Sequence, residues 1–112
     1  METTIEMKAM PERAQELYQT LQALLPTIRK EKDSRDCRVT RDDGDEAVFC
    51  LVIDWENKAG FEHYMCTSSG SALLGAVDLL SISARVRFSQ DGPWEGIDSL
   101  KKMRKEQEAL MT

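Results

Sequence analysis

The chain is poor in the residues that most often carry metal and redox chemistry. Its 112 residues include one histidine and three cysteines, and no two cysteines have the spacing of a CxxC motif. Structural zinc sites usually need four such ligands, so the sequence predicts no metal centre. An odd number of cysteines without paired spacing also argues against a disulfide framework and favours reduced thiols in the cytoplasm.

Long apolar runs, a basic surface and nucleotide-binding motifs are missing as well. No apolar run approaches the roughly 18 residues that a membrane helix needs, and the N-terminal METTIEMK lacks the features of a secretory signal. The 15 Lys and Arg residues are outnumbered by 20 Asp and Glu residues, giving a net charge of −5, whereas nucleic-acid binding needs concentrated positive charge. GxGxxG, P-loop and GxSxG motifs are absent too. We therefore expect no membrane partner, no nucleic acid, no bound nucleotide and no serine nucleophile.

The apolar residues that are present follow the period of a strand and then that of a helix. Residues 3–10 alternate, with Ile5, Met7 and Ala9 on one side, which predicts a half-buried strand. Pro11 then stands where the first position of a helix is expected. The helix carries an apolar stripe formed by Ala14, Leu17, Leu21, Leu24, Leu25 and Ile28. Pro26 lies inside this stripe and predicts a kink or an early end.

Two β-rich runs, CRVT and AVFCLVIDW, flank the polar segment RDDGDE and predict a hairpin. Asp-Gly favours a two-residue type I′ turn, because both central positions of that turn need a positive φ. If Asp43-Gly44 forms this turn, Cys37 lies opposite Cys50 and Val39 lies opposite Val48. The two cysteines are then best interpreted as small buried hydrophobic residues on neighbouring strands.

A junction between strand and helix lies in the stretch LVIDWENKAGFEHYMCT. Asn57 is a good N-cap for a helix that begins at Lys58, and Thr67 or Ser68 is expected to cap a second helical piece. The run SISARVRF alternates again and predicts a strand. Its apolar face is expected to carry Ile82, Ala84, Val86 and Phe88. A weakly amphipathic helix is predicted at about 96–110.

The order of elements is therefore β-α-β-β-α-β with an added C-terminal helix, which is the split-βαβ or ferredoxin-like pattern of the α+β class. We expect one domain over residues 1–112, with a four-stranded antiparallel sheet and both main helices on one face. No helix remains to cover the other face. A second copy of the sheet would cover it, so we expect a homodimer.

The same segments resemble a known family. The strand FCLVIDWEN running into KAGFEHYMCTSSGSALLGAVDLL, followed by ARVRF and GIDSLKKMR, resembles the antibiotic biosynthesis monooxygenase superfamily over nearly the whole chain. SRDCRVTRDD also resembles the second strand of that family, although Asp33-Ser34 stands where Gly-Cys is usual. The resemblance implies a dimeric α/β barrel with one cavity per subunit between sheet and helices. It also implies a cofactor-independent monooxygenase that oxidises an electron-rich aromatic, such as a quinol or anthrone, with dioxygen.

Under this resemblance, the candidate catalytic residues are His63 and Tyr64, either of which could take a proton from the substrate. In the family a histidine commonly follows the strand-end tryptophan by nine or ten positions, and here Tyr64 stands at nine and His63 at eight. Trp55, Phe49 and Phe61 are the candidate substrate-binding wall. In the alternative interpretation these residues have no catalytic or binding role. His63 is then a half-exposed helix residue, and the aromatic rings pack in the core.

A second hypothesis is a non-enzymatic dimeric protein that binds a small ligand or is associated with stress, because members of the family include plain binding proteins. Other members degrade haem, but those enzymes resemble one another in an asparagine on the first strand. The inward candidates here are apolar instead. Arg85 and Arg87 lie on the polar side of the last strand, where they either bind a carboxylate or pair with acids such as Glu6 at the rim or dimer interface.

Overall fold

A computed structural model describes residues 1–111 of the chain, with side chains to residue 110. The elements in chain order are β1 (Glu2–Ala9), α1 (Ala14–Arg29), β2 (Ser34–Arg41), β3 (Val48–Trp55), α2 (Lys58–Met65), α3 (Ser68–Leu80), β4 (Ser81–Arg87), β5 (Glu95–Gly96) and α4 (Asp98–Met111). The strands form one open antiparallel sheet in the order β2-β3-β1-β4-β5. The predicted α+β, ferredoxin-like fold is confirmed, with the two-residue strand β5 as an addition.

The core lies between the inner face of the sheet and the helices. Alternate residues of β1 and β3 point into it, because successive side chains of a strand face opposite sides. These strand residues are Ile5, Met7, Ala9, Phe49, Leu51, Ile53 and Trp55, each at most 2% exposed. The helices contribute Leu17, Leu21, Leu25 and Ile28 from α1, and Leu73, Leu74, Val77 and Leu80 from α3. Leu100 of α4 is also fully buried, so the C-terminal helix packs on its own chain.

Two side-chain caps start the helices that follow β3, as the sequence predicts. The Asn57 side chain accepts a hydrogen bond from the Gly60 N–H at 2.9 Å and begins α2. Thr67 Oγ1 accepts from the Gly70 N–H at 3.1 Å and begins α3. Each cap satisfies one of the backbone donors that have no partner in the first turn of a helix.

The prediction that Pro11 starts the first helix is wrong, and Pro26 lies inside that helix close to its end. Pro11 is not the first helical residue, because the chain makes a turn in which Glu12 has φ 65°, and α1 begins only at Ala14. α1 continues for three residues beyond Pro26 and ends at Arg29; a kink at Pro26 stays a prediction. Pro26 lies in the last turn with its side chain exposed, where the missing N–H costs one hydrogen bond and the ring meets solvent.

The predicted hairpin register is also wrong. Cys37 lies opposite Ile53 and Cys50 lies opposite Thr40, so the two cysteines occupy opposite faces of the sheet. Gly44 does not have the positive φ that a type I′ turn requires. The loop is longer because two aspartates build local turns, a well-known use of that side chain. Asp42 accepts from Gly44 N–H and Asp45 accepts from Ala47 N–H, each at 2.9 Å.

The strand β4 departs from simple alternation at its start. Lys8 lies opposite Ser83 while Ala9 lies opposite Ser81, so Ile82 is the extra residue of a β-bulge. The bulge turns Ile82 out of the core, and its side chain is 56% exposed. Its assignment to the apolar face is therefore wrong, whereas Val86 is fully buried as predicted.

The close contact between α3 and the end of α2 leads to a prediction about Gly70. A Cβ atom at this position would lie 2.3 Å from the Tyr64 carbonyl oxygen and 2.9 Å from the Met65 Cα, and neither backbone atom can move freely. We expect Gly70→Ala to lower the free energy of unfolding by about 2 kcal/mol, as overpacked sites do. Chemical denaturation followed by circular dichroism measures the change.

The matched control is Gly75→Ala in the same helix, where an added Cβ meets nothing within 4 Å. Alanine favours a helix over glycine, so this variant should gain up to about 1 kcal/mol. A Gly70→Ala variant that is at least as stable as Gly75→Ala would contradict the contact argument for Gly70.

Candidate functional site

Two adjoining cavities of about 340 and 370 Å³ lie between α2 and α4. Both are lined by Lys58, Phe88, Glu95 and Met103, and we call the combined space the α2–α4 pocket. Its further lining residues are Met1, Glu62, Ser99, Lys102, Glu106 and Gln107. Volumes of this size are at the lower end of the range for small-molecule sites.

Four separate segments bring the shared lining residues together. Lys58 is the first residue of α2, directly after the Asn57 cap, and Phe88 follows the last residue of β4. Glu95 belongs to β5, which pairs with β4 and thereby returns the chain to the sheet. Met103 lies one turn of α4 beyond the buried Leu100, so it points back toward the body of the protein.

The pocket combines an apolar wall with charged groups. Phe88 and Met103 supply the apolar surface. The Lys58 ammonium lies 3.5 Å from the Glu62 carboxylate, which also accepts a hydrogen bond from the Gln107 amide. The Glu95 carboxylate accepts a hydrogen bond from Ser99 Oγ at 3.2 Å. An aromatic ligand with one ionisable group would therefore meet both a flat apolar surface and groups of each charge.

A chain of aromatic rings continues from this wall into the core. Phe88 contacts Phe61 edge-on at 6.0 Å, Phe61 lies 5.8 Å from Trp55, and Trp55 lies 5.6 Å from Tyr64, all between ring centroids. Phe61, Trp55 and Tyr64 are fully buried. The Trp55 indole N–H is buried as well and has no hydrogen-bond partner among residues 1–110. Ring contacts of this kind fix the position of Phe88 from behind.

His63 and Tyr64, the predicted catalytic pair, point in different directions from α2. His63 is exposed, whereas Tyr64 is fully buried and its hydroxyl shares a hydrogen bond of 2.9 Å with Ser69 Oγ. Burial raises the pKa of Tyr64 to about 12, so the phenol stays protonated near neutral pH. Neither residue lines the α2–α4 pocket, and their catalytic roles stay predictions.

The three predicted substrate-binding residues are all fully buried but do not form one group. Trp55 and Phe61 are in contact and lie directly behind Phe88. Phe49 packs elsewhere, with its ring 5.7 Å from Tyr18 and the Arg41 guanidinium 4.9 Å above it. The structure thus joins two of the three to the wall of the α2–α4 pocket, and the binding role of each stays a prediction.

Sequence reasoning missed the pocket residues Lys58, Glu95 and Met103. Lys58 is predicted only as the start of a helix, and Met103 only lies within the weakly amphipathic helix predicted at about 96–110. Their common position depends on how α4 packs on the rest of the chain, through the buried Leu100, the ion pair of 2.8 Å between Lys101 and Asp78 of α3, and the hydrogen bond from Gln107 to Glu62 of α2. No local pattern in the sequence carries that information.

The cysteines do not form a reactive site in this fold. All three are free thiols, and burial raises the pKa of both Cys37 and Cys50. A raised pKa keeps a thiol protonated and poorly nucleophilic.

Within residues 1–110, no group of three or more His, Cys, Asp or Glu side chains could hold a metal ion. No helix in the described part of the chain is long and apolar enough to cross a membrane.

The fold and the pocket define the class of the protein. An open antiparallel sheet carries all helices on one face, and the C-terminal helix closes one side of a pocket there. The model of the family described as antibiotic biosynthesis monooxygenase matches residues 2–69. The chain belongs to this family. A search of curated proteins found no match.

Solved structures with the same fold share little sequence with the chain. A crystal structure of an antibiotic biosynthesis monooxygenase is 15% identical, with a TM-score of 0.72 over 82% of this chain and 98% of that one. The protein PA3566 of Pseudomonas aeruginosa is 18% identical, with a TM-score of 0.71 over 85% and 90% of the two chains. Rv0793 of Mycobacterium tuberculosis is 13% identical, with a TM-score of 0.70 over 80% and 94%. At these identities the comparison establishes the fold.

Proposed function

We propose that this protein is a monooxygenase that oxidises a small electron-rich aromatic, of the quinol or anthrone type, with dioxygen and without a cofactor. The observation that carries the proposal is the α2–α4 pocket, in which the Phe88 ring stands beside the Lys58 ammonium and the Glu95 carboxylate. Family membership supports the reaction type. The size of the pocket suits a ligand of one or a few rings.

In this reaction the substrate itself supplies the electrons. Once deprotonated, it reduces dioxygen, one oxygen atom enters the ring system and the other leaves as water. The protein must therefore stabilise the anion and accept its proton. Lys58 lowers the pKa of a bound phenol because a nearby cation favours the charged form. Glu95, held by Ser99, is the proton acceptor that the pocket offers.

Oxygen uptake by the purified protein, with hydroquinones and anthrones and no added cofactor, tests the proposal. We expect uptake above the spontaneous rate, reduced about 100-fold or more in Lys58→Met and in Glu95→Gln, as is usual for the loss of an acid–base or electrostatic group. Lys30→Met and Glu46→Gln change exposed residues outside the pocket and should keep full activity.

A further variant, His63→Ala combined with Tyr64→Phe, tests the catalytic pair that the sequence predicts. Loss of uptake in this variant, with full activity in Lys58→Met and Glu95→Gln, would move the site to α2 and Trp55. No uptake with any substrate, from protein shown to be folded, would contradict the oxygenase proposal.

The second candidate is a binding protein without catalysis, and the state of Tyr64 favours it. A phenol whose pKa is raised to about 12 cannot serve as a base near neutral pH, and His63 is exposed. In that case aromatic ligands should bind in the α2–α4 pocket, and their affinity should fall in the Phe88→Ala and Met103→Ala variants. No oxygen uptake should accompany binding.

We also propose that the protein is a homodimer formed through the face of the sheet that carries no helix. Members of this family are generally dimeric, and no helix covers that face of the sheet. Size-exclusion chromatography with light scattering distinguishes dimer from monomer directly.

A further inference from the structure

Helix α4 turns one of its faces toward the α2–α4 pocket. The residues of α4 that line the pocket follow one another at steps of three and one, so they share one side of the helix. They are Ser99, Lys102, Met103, Glu106 and Gln107. A surface helix normally packs its inward face on the core, whereas this face borders a cavity of about 340 Å³. Met103 is its one apolar member and is only partly buried.

The helix is anchored mainly near its first turn. Within 98–110, Leu100 is the only buried residue, whereas α1 buries four residues and α3 buries six. Beside Leu100, the Lys101 ammonium pairs with the Asp78 carboxylate at 2.8 Å, but the two side chains are 41% and 52% exposed, and ion pairs this exposed contribute little stability. Elements with few buried apolar contacts open locally at a low free energy.

A glycine stands directly before α4, where the chain leaves the sheet. Gly96 is the second and last residue of β5 and is exposed. A Cβ atom added there would meet nothing within 4 Å, so packing does not require a glycine at this position. What the glycine supplies is backbone freedom. The chain can therefore turn between β5 and α4 while β4 stays in the sheet.

The far half of α4 is held to α2 by a polar contact. The Gln107 amide, about two turns beyond Leu100, donates a hydrogen bond to one oxygen of the Glu62 carboxylate. The Lys58 ammonium lies 3.5 Å from the other oxygen of the same carboxylate. Gln107 thus holds Glu62 with its second oxygen toward Lys58, and the position of α4 determines the surroundings of Lys58.

We propose that α4 is a ligand-ordered lid on the α2–α4 pocket, which swings about Gly96 and Leu100 and is latched over a bound aromatic ligand by Gln107 on Glu62. The inference rests on the part of the proposed function that makes this pocket the ligand site, and it adds how the site closes. Closure removes water from around the ligand, which strengthens the attraction between Lys58 and a bound phenolate. The ligand shifts α4 to the closed position because it gains contacts only there.

Amide hydrogen exchange followed by mass spectrometry, with and without 2-naphthol, tests the lid. This probe is aromatic and carries one ionisable hydroxyl, and calorimetry establishes its binding. In the free protein we expect the amides of α4 to exchange about 10-fold faster than those of α1 or more, because α4 opens without global unfolding. Saturating 2-naphthol should slow exchange in α4 about 10-fold and leave α1 unchanged.

Gln107→Ala tests the latch. It removes one hydrogen bond, so exchange in α4 of the free protein should rise about 5-fold, and 2-naphthol should dissociate faster. Gln19→Ala makes the same chemical change at an exposed position of α1 and is the matched control, which should leave both rates as in the wild type. Circular dichroism establishes that both variants are folded.

The lid is overturned if α4 of the free protein exchanges no faster than α1, or if 2-naphthol does not bind or binds without slowing α4. Equal exchange in Gln107→Ala and Gln19→Ala also overturns it. Oxygen uptake is measured separately. Uptake with a rigid α4 would support the oxygenase and remove the lid, whereas a ligand-ordered α4 without uptake would keep the lid on a binding protein, so the two failures are distinguishable.

Discussion

Replacing Trp55 by alanine is expected to lower the free energy of unfolding by about 4 kcal/mol, the magnitude typical of a large aromatic residue removed from a core. The Trp55 side chain is fully buried and contacts both Phe61 and Tyr64. It stands where β3 ends and α2 is about to begin, so the cavity would open between sheet and helix. Urea denaturation followed by circular dichroism measures the loss without relying on tryptophan fluorescence.

The Trp55→Phe variant separates the contribution of the ring contacts from that of the indole N–H. Phenylalanine keeps most of the ring contacts, and it removes a buried N–H that has no acceptor among residues 1–110. A buried donor without a partner costs about 1–3 kcal/mol, so its removal offsets part of the lost packing. We expect Trp55→Phe to cost less than half as much as Trp55→Ala.

Leu79→Ala controls for the loss of an apolar side chain as such. Leu79 is 73% exposed, and surface substitutions of this kind usually change stability by less than about 0.5 kcal/mol. A Trp55→Ala variant that is no less stable than Leu79→Ala would contradict the assignment of Trp55 to the core. So would a Trp55→Phe variant that is as unstable as Trp55→Ala.

The position of Trp55 also shows which features the sequence could predict. The end of β3, the Asn57 cap and the start of α2 follow from neighbouring residues, because alternation and capping are local. Those features are confirmed. The family resemblance rested on the same stretch, and it is confirmed by the match over residues 2–69.

The predictions that failed have two causes, one local and one that depends on partners distant in the chain. The register of β2 was predicted from Asp43-Gly44 alone, whereas the loop is shaped by side-chain turns at Asp42 and Asp45. Ile82 was assigned to the core by alternation, but the bulge that exposes it exists only in the pairing of β4 with β1. A face assigned from alternation in the sequence is therefore wrong where the pairing of two strands shifts the register.

The candidate site shows the same limit. The sequence drew attention to the histidine and tyrosine of α2 because of their residue types. The structure instead gathers Lys58, Phe88 and Glu95 around a pocket that α4 completes. Residue type therefore drew attention to α2, which also contributes Lys58 to the pocket, and the catalytic roles of His63 and Tyr64 stay predictions.

Tyr64 gives the second large effect, a loss of stability at high pH. Its pKa is raised from 10.0 to about 12 in the folded protein, chiefly by burial. In the unfolded chain the phenol ionises near the ordinary value of about 10. Above that pH the unfolded state has lost a proton that the folded state keeps, so each further pH unit favours unfolding by about 1.4 kcal/mol.

The stabilisation is therefore fully present below about pH 10 and is lost as the pH rises toward 12, a total of about 3 kcal/mol. Tyr64→Phe removes the titrating group. This variant should be about 1 kcal/mol less stable near neutral pH, because it loses the hydrogen bond with Ser69. Above about pH 10 its stability should fall less steeply than that of the wild type, because it lacks the Tyr64 phenol. The difference between the two stability curves isolates Tyr64, and parallel curves across this range would show that its phenol is not buried in the folded state.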